Sequence, residues 1–391
     1  MYDDMRQMAG FDTIAGGTHM KNKLLFTLFL LMLTAPVVTF AFVKDYIDSE
    51  NYENRVFAER PRLSVQTLPS FPQKFDDWFN DHLPYKNQLV MANTIKNDWI
   101  GVGTTAMEYM TGSMVIRGKD NWLFYNAEKQ QSFNDYICNN LYEEEELVQI
   151  ADGYVRLYDK LKEMGIELVV LYAANKEQVY PEYMPSSIVP AGSYSRTDQL
   201  VDYIQANTSV PLLYTKDALR KEKEGHQLFY KYDTHWNSLG GFVGGQLLNE
   251  HFHGEYVSLK DVSVRPVQTN VSGDLAHMLS MGNVYQDDTE WEISGYKEEV
   301  TVNESRDGED FVFASDAKDS RSLLVYMDSF GYALMGIAKD YANVRFSRNT
   351  ENFASYCREQ HPDAVVIELV ERWKDGQEGW CKGLYDLLAG T

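Results

Sequence analysis

The sequence predicts an α/β fold, a parallel sheet with helices on both faces, and three observations predict it. Glu167 to Ala173, Ser322 to Met327 and Ala364 to Val370 are nearly unbroken apolar runs of strand length, the pattern of strands buried on both faces. Helical patterns alternate with these runs along the chain. Stop signals fall between them, such as Gly165 between a long amphipathic stretch and the first run.

Taken in order, Glu143 to Met164 reads as a helix whose first turn, Glu143 to Glu146, places carboxylates where the helix dipole favours them. The strand Glu167 to Ala173 follows, then a helix over Arg196 to Ala206, a short strand over Pro211 to Tyr214 and a helix over Asn237 to Glu250. Strands at Ser322 to Met327, Asn343 to Ser347 and Ala364 to Val370 are separated by helices expected at Tyr332 to Tyr341 and Glu351 to Gln360. Gly254 to Ser320 alternates polar and apolar residues with many turn signals and reads as a β-rich insertion over 254–320. Together these define a catalytic domain expected over 113–391. Residues 44–112 are polar and aromatic-rich, a stalk and helical lead-in with helical spacing from Lys74 to Trp99 interrupted at Pro84.

Leu24 to Val43 carries no charge and follows Lys21 and Lys23. Twenty helical residues cover the roughly 30 Å hydrocarbon core, so the segment is long enough to span a bilayer. The basic flank places its N-terminal end in the cytoplasm and the rest of the chain outside. The expectation is a signal-anchor over 20–43. The alternative is secretion after cleavage near Thr39-Phe40-Ala41, against which Phe40 and the length of the run argue. Met20 reads as the true start, so residues 1–19 are set aside as a misread or non-native leader.

Lys plus Arg number 36 against 58 Asp plus Glu, a formal charge of -22, which excludes a nucleic-acid partner. The three cysteines, Cys138, Cys357 and Cys381, have neither a disulfide-framework nor a zinc spacing and read as buried thiols, the alternative being a Cys357–Cys381 pair outside the cell. His251 and His253 lack a carboxylate or thiol at ligand spacing, so no metal is expected.

Two short segments carry chemistry. The strand Ser322 to Met327 runs into Asp328-Ser329-Phe330-Gly331, which sets a hydroxyl at the carboxyl edge of the sheet and directs the N–H groups of a helix start toward any oxyanion formed there. Tyr232-Asp233-Thr234-His235-Trp236-Asn237 offers an imidazole and a carboxylate from one loop, the pair that turns a serine into a nucleophile. Each segment alone is equally readable as a helix cap.

Asp233-Thr-His-Trp-Asn237, Gly118-Lys-Asp-Asn-Trp-Leu-Phe-Tyr125, Val179-Tyr-Pro-Glu-Tyr-Met-Pro185 and Phe79-Asn-Asp-His-Leu-Pro84 resemble, in the same order, the motifs of the alginate O-acetyltransferase family and the related DHHW family. The resemblance covers about Asp77 to Arg372. It implies an SGNH-hydrolase-like (flavodoxin-like) domain in a circularly permuted form, because the order here is Asp, His, Ser and the spacing Asp-x-His. Met327 stands where such hydrolases commonly carry glycine, and Thr234 where the DHHW pattern has His. His361 to Arg372 resembles the strand where the family gathers oxyanion and substrate contacts, which makes Glu371 and Arg372 candidates. Asn175 and Lys176, at the end of another expected strand, are further candidates.

The resemblance implies an extracytoplasmic O-acetyltransferase acting on a cell-surface or secreted polysaccharide, with Ser329 as nucleophile, His235 as base and Asp233 as its orienter. It needs no cofactor, and the expected partner is a membrane-bound O-acyltransferase that supplies acetyl groups from inside. The same residues would serve an acetylesterase, and a non-catalytic polysaccharide-binding scaffold is the third reading.

Overall fold

The computed structural model describes residues 4–48, 50–52, 56–100, 114–126, 132–268, 272–286 and 288–390, with backbone only for 4–21, 97–100 and 375–379. The expected boundary at 112 lies outside the described residues, as does part of the expected leader. The chain divides into two compact units, Met1–Lys96 and Asn97–Thr391.

The first unit opens with helix α1 (Asp4–Val43), which holds the apolar stretch Asn22–Val43 with its side chains exposed. Thr34 and Thr39 turn their hydroxyls back onto Leu30 O (2.8 Å) and Ala35 O (2.7 Å), which satisfies them without water. Two helices follow, α2 (Phe71–Asp81) and α3 (Lys86–Ile100), with Pro84 in the gap between them. The Asp81 carboxylate accepts the Ala58 N–H at 2.7 Å and ties the preceding segment to α2.

In the second unit, β1 (Val115–Arg117) and β2 (Leu123–Tyr125) form an antiparallel hairpin. Helix α4 (Glu144–Glu163), capped by a reciprocal Glu143–Glu146 box, leads into β3 (Glu167–Ala173). Then come α5 (Arg196–Asn207), β4 (Leu212–Tyr214), α6 (Ser238–His253), β5 (Ser263–Gln268), the single turn α7 (Asp274–Met278) and β6 (Thr289–Ser294). Strands β7 (Val302–Asp307), β8 (Asp310–Ser315), β9 (Asp319–Met327), β10 (Tyr341–Ser347) and β11 (Ala364–Val370) precede the last helix, α8 (Gln377–Ala389).

The main sheet has the order β4-β3-β11-β9-β10-β8-β7. Its first five strands are parallel, and the β7–β8 hairpin continues it antiparallel beyond β10. Strand β11 pairs on one side with β3 (Ile367 opposite Val170) and on the other with β9 (Val366 opposite Val325). Successive residues of these strands face two separate cores. Val169, Leu171, Val325 and Val366 pack with α6 and Phe330, Leu334 and Ile337. Leu168, Val170, Tyr326 and Val365 pack with α4, α5 and α8. The fold is the expected two-faced α/β sandwich.

Three elements depart from expectation. The helix expected over Tyr332 to Tyr341 is a 3-10 helix, Ser329–Lys339, which starts at the serine, and β10 begins at Tyr341. The helix expected from Glu351 to Gln360 shrinks to one α-turn (Phe353–Ser355) and one π-turn (Tyr356–Gln360). Asn349 spends its side chain on the Glu351 N–H (2.8 Å) in a turn that uses up the residues a longer helix would need. The segment 254–320 divides its strands, since β5–β6 is a separate ribbon while β7–β8 joins the main sheet through β10.

Candidate active site

Strands β3, β9 and β11 all end at one sheet edge, the place where a parallel α/β fold presents its chemistry. Strand β9 ends at Met327, Asp328 caps the 3-10 helix, and Ser329 is that helix's first residue. Asp328 Oδ1 accepts the Phe330 N–H (2.7 Å) and Oδ2 the Val370 N–H (2.8 Å), which locks the turn to the end of β11. The cap also removes the Phe330 N–H from the oxyanion donors that the strand-to-helix turn suggested. Under the turn lies Glu368, fully buried. Burial, and after it the nearby Asp328 carboxylate, push its pKa well above the usual range, against the backbone N–H groups of Asp328 and Gly331, which lower it.

The second part is the loop before α6. Its backbone is held from several sides: Lys176 donates to the carbonyls of Tyr230 (2.9 Å), Lys231 (3.2 Å) and Asp233 (2.6 Å), and Asp288 accepts the Tyr232 N–H at 3.1 Å. Asn237 caps α6 by accepting the N–H groups of Leu239 and Gly240. The glycines of α6 then let it lie directly on the 3-10 helix. A Cβ on Gly241 would stand 2.2 Å from Ala333 O, closer than any carbon tolerates. Trp236 crosses the same seam and donates Nε1–H to Phe330 O at 2.9 Å.

This packing brings three sequence-expected residues together. His235 Nε2 lies 2.7 Å from Ser329 Oγ, and His235 Nδ1 lies 2.6 Å from Asp233 Oδ1. Asp233 is held at a pKa of about 2. Burial alone would raise it, but the hydrogen bond and charge of His235 and the N–H groups of Asp274 (2.9 Å) and His235 (2.9 Å) outweigh burial.

Sequence reasoning missed Asp274, at the start of α7. Its carboxylate accepts the Thr234 N–H and hydroxyl, both at 2.7 Å, and Oδ2 lies 4.0 Å from His235 Nδ1. Burial and the Asp233 charge raise its pKa. The approach depends on Gly273, where a Cβ would stand 2.2 Å from Tyr232 O. Asp233, His235 and Asp274 are spaced closely enough to ligate a cation. Their facing atoms are instead engaged with one another and with Thr234.

A cavity of about 680 Å³ opens over Ser329 and His235. Trp236, Phe330 and Tyr332 give it apolar walls, while Asp233, Asp288 and Glu290 give it three carboxylates, with no lysine or arginine among its described lining residues. Glu290 is fixed by the hydroxyls of Tyr230 and Ser238 and by the Trp291 N–H at 2.7 Å. Burial and the Glu290 carboxylate push the Tyr230 pKa up, so its hydroxyl stays a donor.

The other four expected residues do not line this cavity. Arg372 donates to Asn175 Oδ1 at 2.9 Å, and Glu371 accepts the Asn175 N–H (2.6 Å) and the Tyr214 hydroxyl (2.6 Å), all nearly or wholly buried at the ends of β3 and β11. Lys176, its pKa lowered to about 8 by burial that outweighs the raising effect of the nearby carboxylates, holds the Asp233 loop. The four brace the sheet edge and the loop from behind. His251 and His253 face different carboxylates, Glu167 (2.8 Å) and Asp319 (3.2 Å).

The sequence model of the SGNH hydrolase-like domain of the acetyltransferase AlgX matches residues 115–324, more than half of the chain. The chain belongs to this family. Two curated relatives are named probable alginate O-acetylase AlgJ. The one from Pseudomonas syringae pv. tomato is 27% identical over 137 residues, 34% of this chain and 32% of that protein. The one from Pseudomonas putida is 28% identical over 140 residues, 35% of this chain and 33% of that protein. The matched segment thus spans about a third of those relatives' length. Among solved structures, Bacillus cereus PatB1 superposes with a TM-score of 0.50 at 14% identity, covering 68% of this chain and 99% of that one. A DHHW family protein from Eubacterium siraeum gives 0.50 at 11% identity, covering 71% and 94%. These likenesses agree on the fold, and the family's own description is the SGNH hydrolase-like domain of the acetyltransferase AlgX.

Proposed function

We propose that this protein is an extracytoplasmic O-acetyltransferase that esterifies hydroxyls of a polysaccharide through an acetyl-enzyme on Ser329. The observation that carries the reading is the continuous relay from Asp233 through His235 to Ser329 at the floor of an open cavity. As Ser329 Oγ attacks the donor's acetyl carbonyl, His235 Nε2 takes the hydroxyl proton and Asp233 stabilises the resulting imidazolium. The proton returns to the leaving group as the donor ester or thioester bond breaks. A glycan hydroxyl then attacks the acetyl-serine, His235 removes its proton, and Ser329 is released with its own proton restored.

Membership of the acetyltransferase family supports transfer rather than simple hydrolysis, as do relatives named as alginate O-acetylases. Acetyl-coenzyme A is a cytoplasmic donor, so the reading includes a membrane-bound O-acyltransferase that hands acetyl groups outward. It also takes residues 20–43 of α1 as the anchor and residues 113–391 as the catalytic domain, with 44–112 as the connecting stalk.

The test is p-nitrophenyl acetate with intact-mass detection. The native chain should gain one acetyl group of adduct, while Ser329→Ala and His235→Ala should gain none and lose at least 10³-fold of turnover. An adduct that persists in Ser329→Ala would refute the assignment.

A further inference from the structure

We propose that a second cavity, which shares Tyr332 with the catalytic one, is a subsite for a negatively charged unit of the acceptor glycan, while the unit acetylated at Ser329 is uncharged. This rests on the acetyltransferase reading and names its substrate class.

The cavity has a volume of about 560 Å³ and shares Tyr332 with the catalytic cavity. Met327 and Phe346 come from the sheet that carries Ser329, Arg306 sits near the end of β7, and Arg348 directly follows β10. The two guanidiniums lie against aromatic rings, Arg348 at 5.9 Å from the Tyr332 centroid and Arg306 at 3.1 Å from that of Phe311. Phe311 and Tyr332 meet edge to face at 5.8 Å, so both cations are carried by one aromatic ledge. Arg306 is only loosely committed, with its Nε 3.8 Å from a Glu304 carboxylate that is itself half exposed and its Nη1 donating to the Glu309 carbonyl at 3.5 Å. Among the described residues Arg348 pairs with no carboxylate. Glu309 also lines the cavity and leaves it a net positive lining.

A chain with a formal charge of -22 thus places two arginines beside its candidate active site, separated by one exposed tyrosine from a cavity holding Asp233, Asp288 and Glu290. Planar guanidiniums bind carboxylate or phosphate in forked pairs, and aromatic faces stack on sugar rings. A glycan laid across Tyr332 therefore meets opposite fields on its two sides. A polymer with an anion on every unit would press one of them against Asp288 and Glu290. A polymer in which an uncharged unit adjoins an anionic one fits both cavities.

The test uses the detergent-solubilised full chain carrying Ser329→Ala, so that affinity is read without turnover. It is titrated by calorimetry with a tetrasaccharide alternating hexuronate and N-acetylhexosamine, its carboxyl-reduced form, an all-hexuronate tetrasaccharide, and a neutral oligosaccharide bearing one phosphodiester. Expected is at least tenfold tighter binding of the alternating or phosphodiester ligand than of the other two, the better of the pair identifying the anion. Arg306→Ala with Arg348→Ala should reduce that affinity to the level of the carboxyl-reduced form, and the two Arg→Lys changes should retain part of it. Equal binding of the reduced form, tightest binding of the all-hexuronate ligand, or unchanged affinity in the folded double-alanine chain would overturn the subsite. So would binding of none of the four, and the acetyl adduct on the native chain would then still decide the acetyltransferase reading independently.

Discussion

Asp233 is more acidic than a free aspartate although burial alone would make it less so, because His235 and two backbone N–H groups hold its charged form. The folded pKa of about 2 lies below the ordinary 3.8, so the charge stabilises the fold above about pH 4, and that contribution fades as pH falls toward 2. Thermal melts of Asp233→Asn should show a deficit of about 2 kcal/mol at pH 6 that closes by pH 2, and a deficit constant with pH would contradict the account. Asp274 acts at one remove, through Thr234. Asp274→Asn and Thr234→Val should each slow p-nitrophenyl acetate turnover about tenfold, and the double variant no more than either alone, since both break one linked unit. Additive losses would mean the two residues act separately. At this scale the sequence named residues that the fold brings together where they sit in one segment or at a strand end, as with Asp233, His235 and Ser329. Asp274, Asp288 and Glu290 arrive from α7 and the start of β6, about 40 to 60 positions from the loop they serve, and nothing in their local spacing marks them.

Between elements, the decisive contact is the glycine face of α6 against the 3-10 helix, because the histidine loop begins the first and the serine begins the second. A methyl at Gly241 would have to displace the Ala333 carbonyl. Gly241→Ala should therefore cost about 1–3 kcal/mol of stability and also depress turnover beyond what unfolding explains, by parting His235 from Ser329. Denaturant titration alongside activity at low denaturant separates the two effects, and full activity in a destabilised chain would sink the positional part. The central strands were legible because both of their faces are apolar, which leaves few alternatives for such runs. The 3-10 helix and the shortened turn at 353–360 were misjudged because helix periodicity does not report how a turn's side chains spend their hydrogen bonds. The Gly118–Tyr125 and Val179–Pro185 motifs were noticed separately. In the structure they pack together, with Trp122 stacked on Tyr183 at 4.6 Å, and only the folded chain could disclose that.

For the whole molecule, the apolar stretch Asn22–Val43 fits either a signal-anchor or a signal peptide. Under the anchor reading, the full chain should stay with membranes through alkaline carbonate extraction while a chain starting at Lys44 should not. Release of the full chain, with an N-terminus newly created near Ala41, would favour cleavage.

The pairing of β11 has a consequence for the order in which the sheet can be completed. Strands β3 and β9 do not pair with each other, and each pairs with one edge of β11, the last of the described strands. Until residues 364–370 are in place, β4-β3 and β9-β10-β8-β7 are two half-sheets with an open slot between them. The final strand closes the sheet beneath the Ser329 turn and brings the Val370 N–H that Asp328 Oδ2 accepts.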